Sequence, residues 1–184
     1  MNAVVFLIPA IFNILLSVLL LRVLLQLARA NFYNPISQLI WRATQPVVGP
    51  LLRFIPRWRS LDIAGVLVLL LATCAYVWFL NALLPEVFIV SGPAMGLKLA
   101  LLIVVNLGAK LYALSVFAQA LLSWVGPGVN NPNANVLFSL NEPLLRPVRR
   151  ILPPFSGLDL SPIPVMLILL TIIHVLAAEL GNFS

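Results

Sequence analysis

Four stretches of this sequence stay apolar for twenty residues or more: Ala3 to Ala28, Ile63 to Leu84, Ala94 to Val125 and Ser161 to Leu180. A helix of about 20 such residues crosses the roughly 30 Å hydrocarbon core of a bilayer. Four of them occupy most of a 184-residue chain, leaving too little polar sequence to cover a water-facing globule. Only 9% of residues are charged and 62% are hydrophobic, whereas a soluble domain carries about 25% charged residues. The sequence therefore describes an all-α, multi-pass membrane protein with four transmembrane helices. The first basic residue is Arg22, so the first run reads as a retained helix; a cleavable signal peptide opens with a basic region and a shorter apolar stretch. The third run is longer than a crossing requires, which implies tilt or an extension beyond the bilayer. The single cysteine, Cys74, lies inside an apolar run and excludes an internal disulfide or a cysteine-based metal cluster.

The connections are unequal. Pro85, Gly92 and Pro93 mark a short turn between the second and third runs. The other two, residues 29–62 and 126–160, are long and hold eight of the eleven Lys and Arg residues: Arg29, Arg42, Arg53, Arg57, Arg59, Arg146, Arg149 and Arg150. Positive charge is retained on the cytoplasmic side of a membrane. Both long loops are therefore expected in the cytoplasm and both termini on the opposite, periplasmic side. The net charge of +6 then implies contact with anionic headgroups and no direct contact with nucleic acid.

The sequence also repeats. Shifted by 97 positions, Asn34-Pro35 falls on Asn131-Pro132, and Pro46, Pro50 and Pro56 fall on Pro143, Pro147 and Pro153. Leu61-Asp62 falls on Leu158-Asp159, and Arg53 on Arg150, all without a gap. Residues 1–90 and 91–184 thus read as two halves of two crossings each. An even number of crossings gives both halves the same orientation, so the repeats are expected to be parallel, related by an axis along the membrane normal.

Each long loop carries its own helix signal. Asn34 caps a helix with Pro35 at the first position, where a missing N–H is harmless. Ile36, Leu39, Ile40 and Ala43 form one apolar face, and Val136, Leu137 and Leu140 do so in the second half. Short helices over Pro35–Gln45 and Pro132–Leu140 are expected to lie flat at the headgroups, with Leu39 and Val136 shielded and Ser37 toward water. Pro46 and Pro143 are expected to end them.

The second half carries Asn141-Glu142-Pro143-Leu144-Leu145-Arg146-Pro147-Val148-Arg149-Arg150-Ile151-Leu152-Pro153, then Leu158-Asp159-Leu160-Ser161-Pro162. This pattern, and its weaker first copy after Leu24-Leu25, resembles the YggT family of small membrane proteins over nearly the whole chain. The first copy departs at Gly49, which matches Arg146, and at Ala64-Gly65, which match Ser161-Pro162. The resemblance implies a bacterial inner-membrane protein with two tandem copies, linked to osmotic or potassium stress. Relatives in photosynthetic lineages are linked to cytochrome b6 haem assembly, to nucleoid or plastid distribution and to division. The family has no catalytic residues to carry over.

Few residues carry chemistry. Lys110 lies near the middle of the third run with Asn106 one turn away, and its counterpart 97 residues earlier is Asn13. A central lysine costs about 2.5–3.5 kcal/mol on insertion scales and faces the protein interior or water. His174 is expected at a similar depth. These four serve either as helix-to-helix hydrogen-bonding groups or as an ion, proton or ligand site. Arg53, Arg57, Arg59, Arg146, Arg149 and Arg150 either set topology and bind anionic lipid or form a docking surface. Arg22, on one stripe with Gln26 and Arg29, is expected to snorkel to the headgroups. Asp62 and Asp159 are expected to cap the outgoing helices.

Enzymatic motifs are missing: the sequence has no HExxH, Walker loop, GxGxxG or CxxCH. The sole histidine, His174, is five residues from Glu179, about 140° around a helix. The sequence is read as a non-enzymatic inner-membrane scaffold or assembly factor without cofactor or metal, binding lipid and membrane-protein partners and capable of self-association. The alternative is an oligomeric ion channel or transporter subunit.

Overall fold

A computed structural model describes residues 3–30, 34–53, 55, 62–84, 90–125, 132–152 and 159–181. These form six helices and no strand: α1 (Ala3–Leu27), α2 (Pro35–Leu52), α3 (Ile63–Leu83), α4 (Pro93–Val125), α5 (Pro132–Ile151) and α6 (Pro162–Gly181). Helices α1, α3, α4 and α6 are long and apolar enough to cross a membrane. At 1.5 Å per residue the 33 residues of α4 extend about 50 Å, well beyond the hydrocarbon core. Shifted by 97 positions, α1 falls within α4, α2 within α5, and α3 on α6 to within two residues. The second half thus repeats the helix order of the first.

Local sequence sets the helix starts. The Asn34 side chain accepts from the Ile36 N–H at 2.9 Å with Pro35 in the first turn. Asp62 Oδ1 accepts from the Gly65 N–H at 3.1 Å and opens α3. Asp159 Oδ1 accepts from the Ser161 N–H at 2.9 Å just before α6. Each satisfies a donor that a helix start leaves without an internal partner.

The loop helices are longer than the prolines suggest. Pro46 and Pro50 lie inside α2, and Pro143 and Pro147 inside α5. A proline deprives the carbonyl four residues earlier of its donor. Here those carbonyls belong to Arg42 and Pro46, and to Ser139 and Pro143, on turns of the helices that face away from the bundle. Water or headgroups can satisfy them there, so the helices continue to Leu52 and Ile151.

Each loop helix packs on the two crossings of its own half. Across the halves, α4 packs against α1 and α3, and α5 against α1 and α2. The largest core cluster joins Leu16, Leu19, Leu20 and Leu24 of α1 to Val68 and Tyr76 of α3 and to Val136 and Leu140 of α5. Gly96 permits a close approach of α3 to α4: an added Cβ would lie 3.2 Å from Trp78 Nε1.

Candidate functional site

Polar assemblies interrupt the apolar packing of the described residues. The first lies where α1, α2 and α3 converge. Arg22 is buried rather than snorkelling: its Nη2 lies 3.0 Å from Asp62 Oδ2, and the two side chains are 2% and 1% exposed. Arg22 Nη1 donates to Thr44 Oγ1 at 2.9 Å, and the guanidinium lies 3.9 Å from the centroid of the Trp41 ring. Its position near a helix end suggests reach for the headgroups, but a paired carboxylate and a cation–π contact inside the bundle satisfy the charge. Asp62 therefore both opens α3 and neutralises Arg22.

The matching positions in the second half carry a neutral version. Gln119 stands 97 residues after Arg22, and Asn141 the same distance after Thr44. Asn141 Nδ2 donates to Gln119 Oε1 at 2.8 Å, and Ser115 Oγ donates to Asn141 Oδ1 at 2.5 Å, all buried. Asp159, the counterpart of Asp62, is met by Arg149 of α5, whose Nη2 and Nε lie 2.8 Å from Oδ2. Arg149 also holds Glu142 at 3.1 Å. Partial burial acts to raise the Asp159 pKa, but hydrogen bonds from Ser161 and the Arg149 guanidinium outweigh it and hold the carboxyl below its ordinary value. Sequence reasoning missed Arg22, Trp41, Thr44, Ser115, Gln119 and Asn141 as a set. The signal was present: polar residues at 22 and 119, and at 44 and 141, recur at the repeat distance.

The outward faces of α2 and α5 present the basic residues. Arg42 and Arg53 of the first half, and Arg146 and Arg150 of the second, are exposed, whereas Arg149 is tied into its ion pairs. Arg57 and Arg59 lie outside the described residues. Around α2, Ser37, Thr44 and Val48 face the bundle, Gln38, Arg42 and Gln45 form an exposed polar side, and Ile36, Leu39 and Val47 form an exposed apolar side. Ser37 is thus buried, opposite to the expected orientation toward water. At its position on the helix circumference it shares the inner face with Thr44, seven residues on. In α5 Val136 is buried in the protein core, whereas Leu39, also expected to be shielded, is exposed on α2.

A further assembly is a cleft of about 180 Å³ between α1, α3, α4 and α6, lined by Asn13, Tyr76, Leu80, Asn106, Leu107 and Lys110 among others. Three of the four intramembrane candidates therefore meet. Asn13 Nδ2 donates to the Pro9 carbonyl at 2.9 Å, and Asn106 Nδ2 to the Ile173 carbonyl at 3.3 Å. His174 is adjacent to that carbonyl in sequence, so its depth matches, but it is exposed on α6 and does not line the cleft. Depth along a helix does not fix which way a side chain faces. Among the described residues no group of three His, Cys, Asp or Glu side chains is placed to hold a metal ion.

Comparison with known proteins adds lineage. The family model described as CCB3/YggT matches residues 1–83 and again 99–180. An uncharacterized protein of the proC 3' region of Vibrio alginolyticus is 42% identical over 161 residues, covering 88% of this chain and 86% of its own. An uncharacterized protein of Pseudomonas aeruginosa is 37% identical, covering 98% and 93%. The uncharacterized protein YggT of Escherichia coli K12 is 36% identical, covering 97% and 91%. No solved structure matches the chain.

Proposed function

The chain belongs to the CCB3/YggT family, and from that premise we propose that it is a non-enzymatic scaffold or assembly factor of the bacterial inner membrane. Its working surface is the pair α2 and α5, lying at the cytoplasmic headgroups of two parallel repeats, with both termini periplasmic. The pair gathers anionic lipid and protein partners, in a role tied to osmotic adaptation. The observation that carries this reading is the matched exposure on the two helices. Gln38, Arg42, Gln45 and Arg53 trace the outer side of α2, and Asn135, Glu142, Arg146 and Arg150 trace that of α5. Each helix is held from beneath by buried polar bonds to its own half, through Arg22 to Thr44 and through Gln119 to Asn141. A fixed backbone carrying a basic, water-directed side suits recognition of acidic headgroups and acidic protein surfaces. The exposed apolar side of α2 suits insertion below the headgroups.

A second reading, an oligomeric channel or transporter subunit, has the Lys110 cleft in its favour. The polar groups there are the side chains of Asn13, Asn106 and Lys110 and the Tyr76 phenol, and Leu80, Ile103, Leu107 and Leu180 line the remainder. Half of that lining is aliphatic, which suits an ion path poorly, and we favour the scaffold.

Photo-crosslinking in native membranes tests it. A crosslinking residue replacing Arg53 and one replacing Arg150 occupy matching sites and should capture the same protein, with Arg42→Glu and Arg146→Glu reducing the yield severalfold. Crosslinks at both sites to lipid alone, or the same pattern from lipid-facing Leu167, would sink the scaffold reading.

A further inference from the structure

The two halves do not contact each other symmetrically. Helix α4 packs on α3 and α5 on α1. The reciprocal contacts, α1 on α6 and α2 on α4, do not occur among the described residues. The second half therefore lays one surface on the first, while the same surface of the first half lies open. Side-chain exposure shows this position by position. Gly108, Leu111 and Tyr112 of α4 are partly covered; Leu111 and Tyr112 pack on the main core cluster and Gly108 lies against Leu20. Their counterparts 97 residues earlier, Ile11, Ile14 and Leu15, are 62%, 66% and 43% exposed. Val136 of α5 is 4% exposed and its counterpart Leu39 of α2 is 69% exposed.

The receiving surface shows the complementary difference. Leu20 and Leu24 of α1 are buried, while their counterparts Phe117 and Leu121 of α4 are 50% and 43% exposed. The first half thus offers an unused donor face and the second half an unused acceptor face, each of the type already joined once inside the chain. Lipid covers any apolar face in a bilayer, but here the same positions pack protein in the other half.

We propose that a second copy of this chain occupies both faces, giving a closed two-fold dimer of four similar halves. Donor residues Ile11, Ile14, Leu15 and Leu39 of one copy sit on acceptor residues Phe117 and Leu121 of the other, and the two-fold axis makes the reverse contact at the same time. A heterologous contact that closes after two chains leaves no free end, whereas one that does not close builds a filament. The same repetition carries Asn13 of the second copy toward Lys110, as Asn13 and Lys110 share the cleft within one chain. That adds a polar neighbour across the interface to those Lys110 already has in its own chain.

The test uses the full chain in a Cys74→Ser background, with two differently tagged copies co-expressed in membranes. One carries Ile14→Cys and the other Phe117→Cys. Mild oxidation should give a disulfide-linked species bearing both tags, at a yield at least tenfold above the pairing of Ile14→Cys with Leu167→Cys on the outer side of α6. Counting of subunits by photobleaching in lipid nanodiscs at endogenous cysteine content should give two copies. Leu39→Arg, which places a charge in the donor face near the headgroups where the helix tolerates it, should shift that count toward one. Single copies in the unsubstituted protein, counts above two, or equal crosslinking at Phe117 and Leu167 overturn the proposal.

Discussion

Arg22 and Asp62, forty residues apart in sequence, join the end of one membrane crossing to the start of the next through a 3.0 Å ion pair almost wholly removed from solvent. The bond closes the first half as a unit, because Arg22 also holds Thr44 of the intervening helix. Removing one partner of a buried pair leaves an uncompensated charge and costs about 3–5 kcal/mol. Asp62→Ala should lower the unfolding free energy in detergent by that order, with an additional small loss from the missing helix cap. Arg22→Gln with Asp62→Asn, which removes both charges, should cost clearly less than the sum of the two single changes. Additive single effects, each below about 1 kcal/mol, would show that the pair does not hold the first half together.

The neutral counterpart behaves differently. Asn141 accepts from Ser115 and donates to Gln119, so Asn141→Leu strands two buried polar groups at once. Each stranded group costs about 1–3 kcal/mol, and thermal unfolding should report a loss of that size. Gln119→Leu combined with Asn141→Leu should recover part of it, since both ends of one hydrogen bond then become apolar. A double variant as unstable as the sum of its parts would count against the network.

Much of this architecture was legible in the sequence, and the failures have specific physical causes. Hydropathy located the four long apolar helices to within a residue at each end, because lipid imposes a length that no other solvent does. The repeat distance makes Asn13 the counterpart of Lys110, and both line one cleft. Arg22 was misread because snorkelling is a rule about distance from a helix end, and its partner Asp62 is remote in sequence. His174 has the expected depth and yet does not line the cleft, because depth along α6 says nothing about azimuth around it. Pro46 and Pro143 do not end their helices, because the carbonyls they free lie on exposed or half-exposed positions that water can reach.

That last point is testable. Since α2 continues through Pro46, an alanine there restores a hydrogen bond in an exposed helical turn. Proline in a helix interior is about 3 kcal/mol less favourable than alanine, so Pro46→Ala should leave stability unchanged or raise it, within that bound. Pro143→Ala should do the same in α5. A fall in Tm of several degrees in either variant would mean that the proline sets a bend on which the packing depends.

Acid should act on the second half through Asp159. Its pKa lies below the ordinary value of 3.8: desolvation raises it, and Ser161 and Arg149 lower it by more. A carboxyl with a depressed folded-state pKa binds fewer protons folded than unfolded, so its contribution to stability is complete above the unfolded value and declines as pH falls through the folded one. The difference in stability between the native protein and Asp159→Asn should therefore be constant above about pH 5 and shrink steadily below 3.8. The pair is partly exposed to solvent, which keeps the plateau to about 0.2–1 kcal/mol. Raising salt should lower that plateau, while leaving the Arg22–Asp62 contribution, buried away from ions, almost unchanged. Urea-gradient unfolding of the two proteins across pH 2.5 to 7 makes the comparison. A difference that grows on acidification would require Asp159 to be protonated more readily in the folded protein, and would exclude the Arg149 contact as a stabilising ion pair.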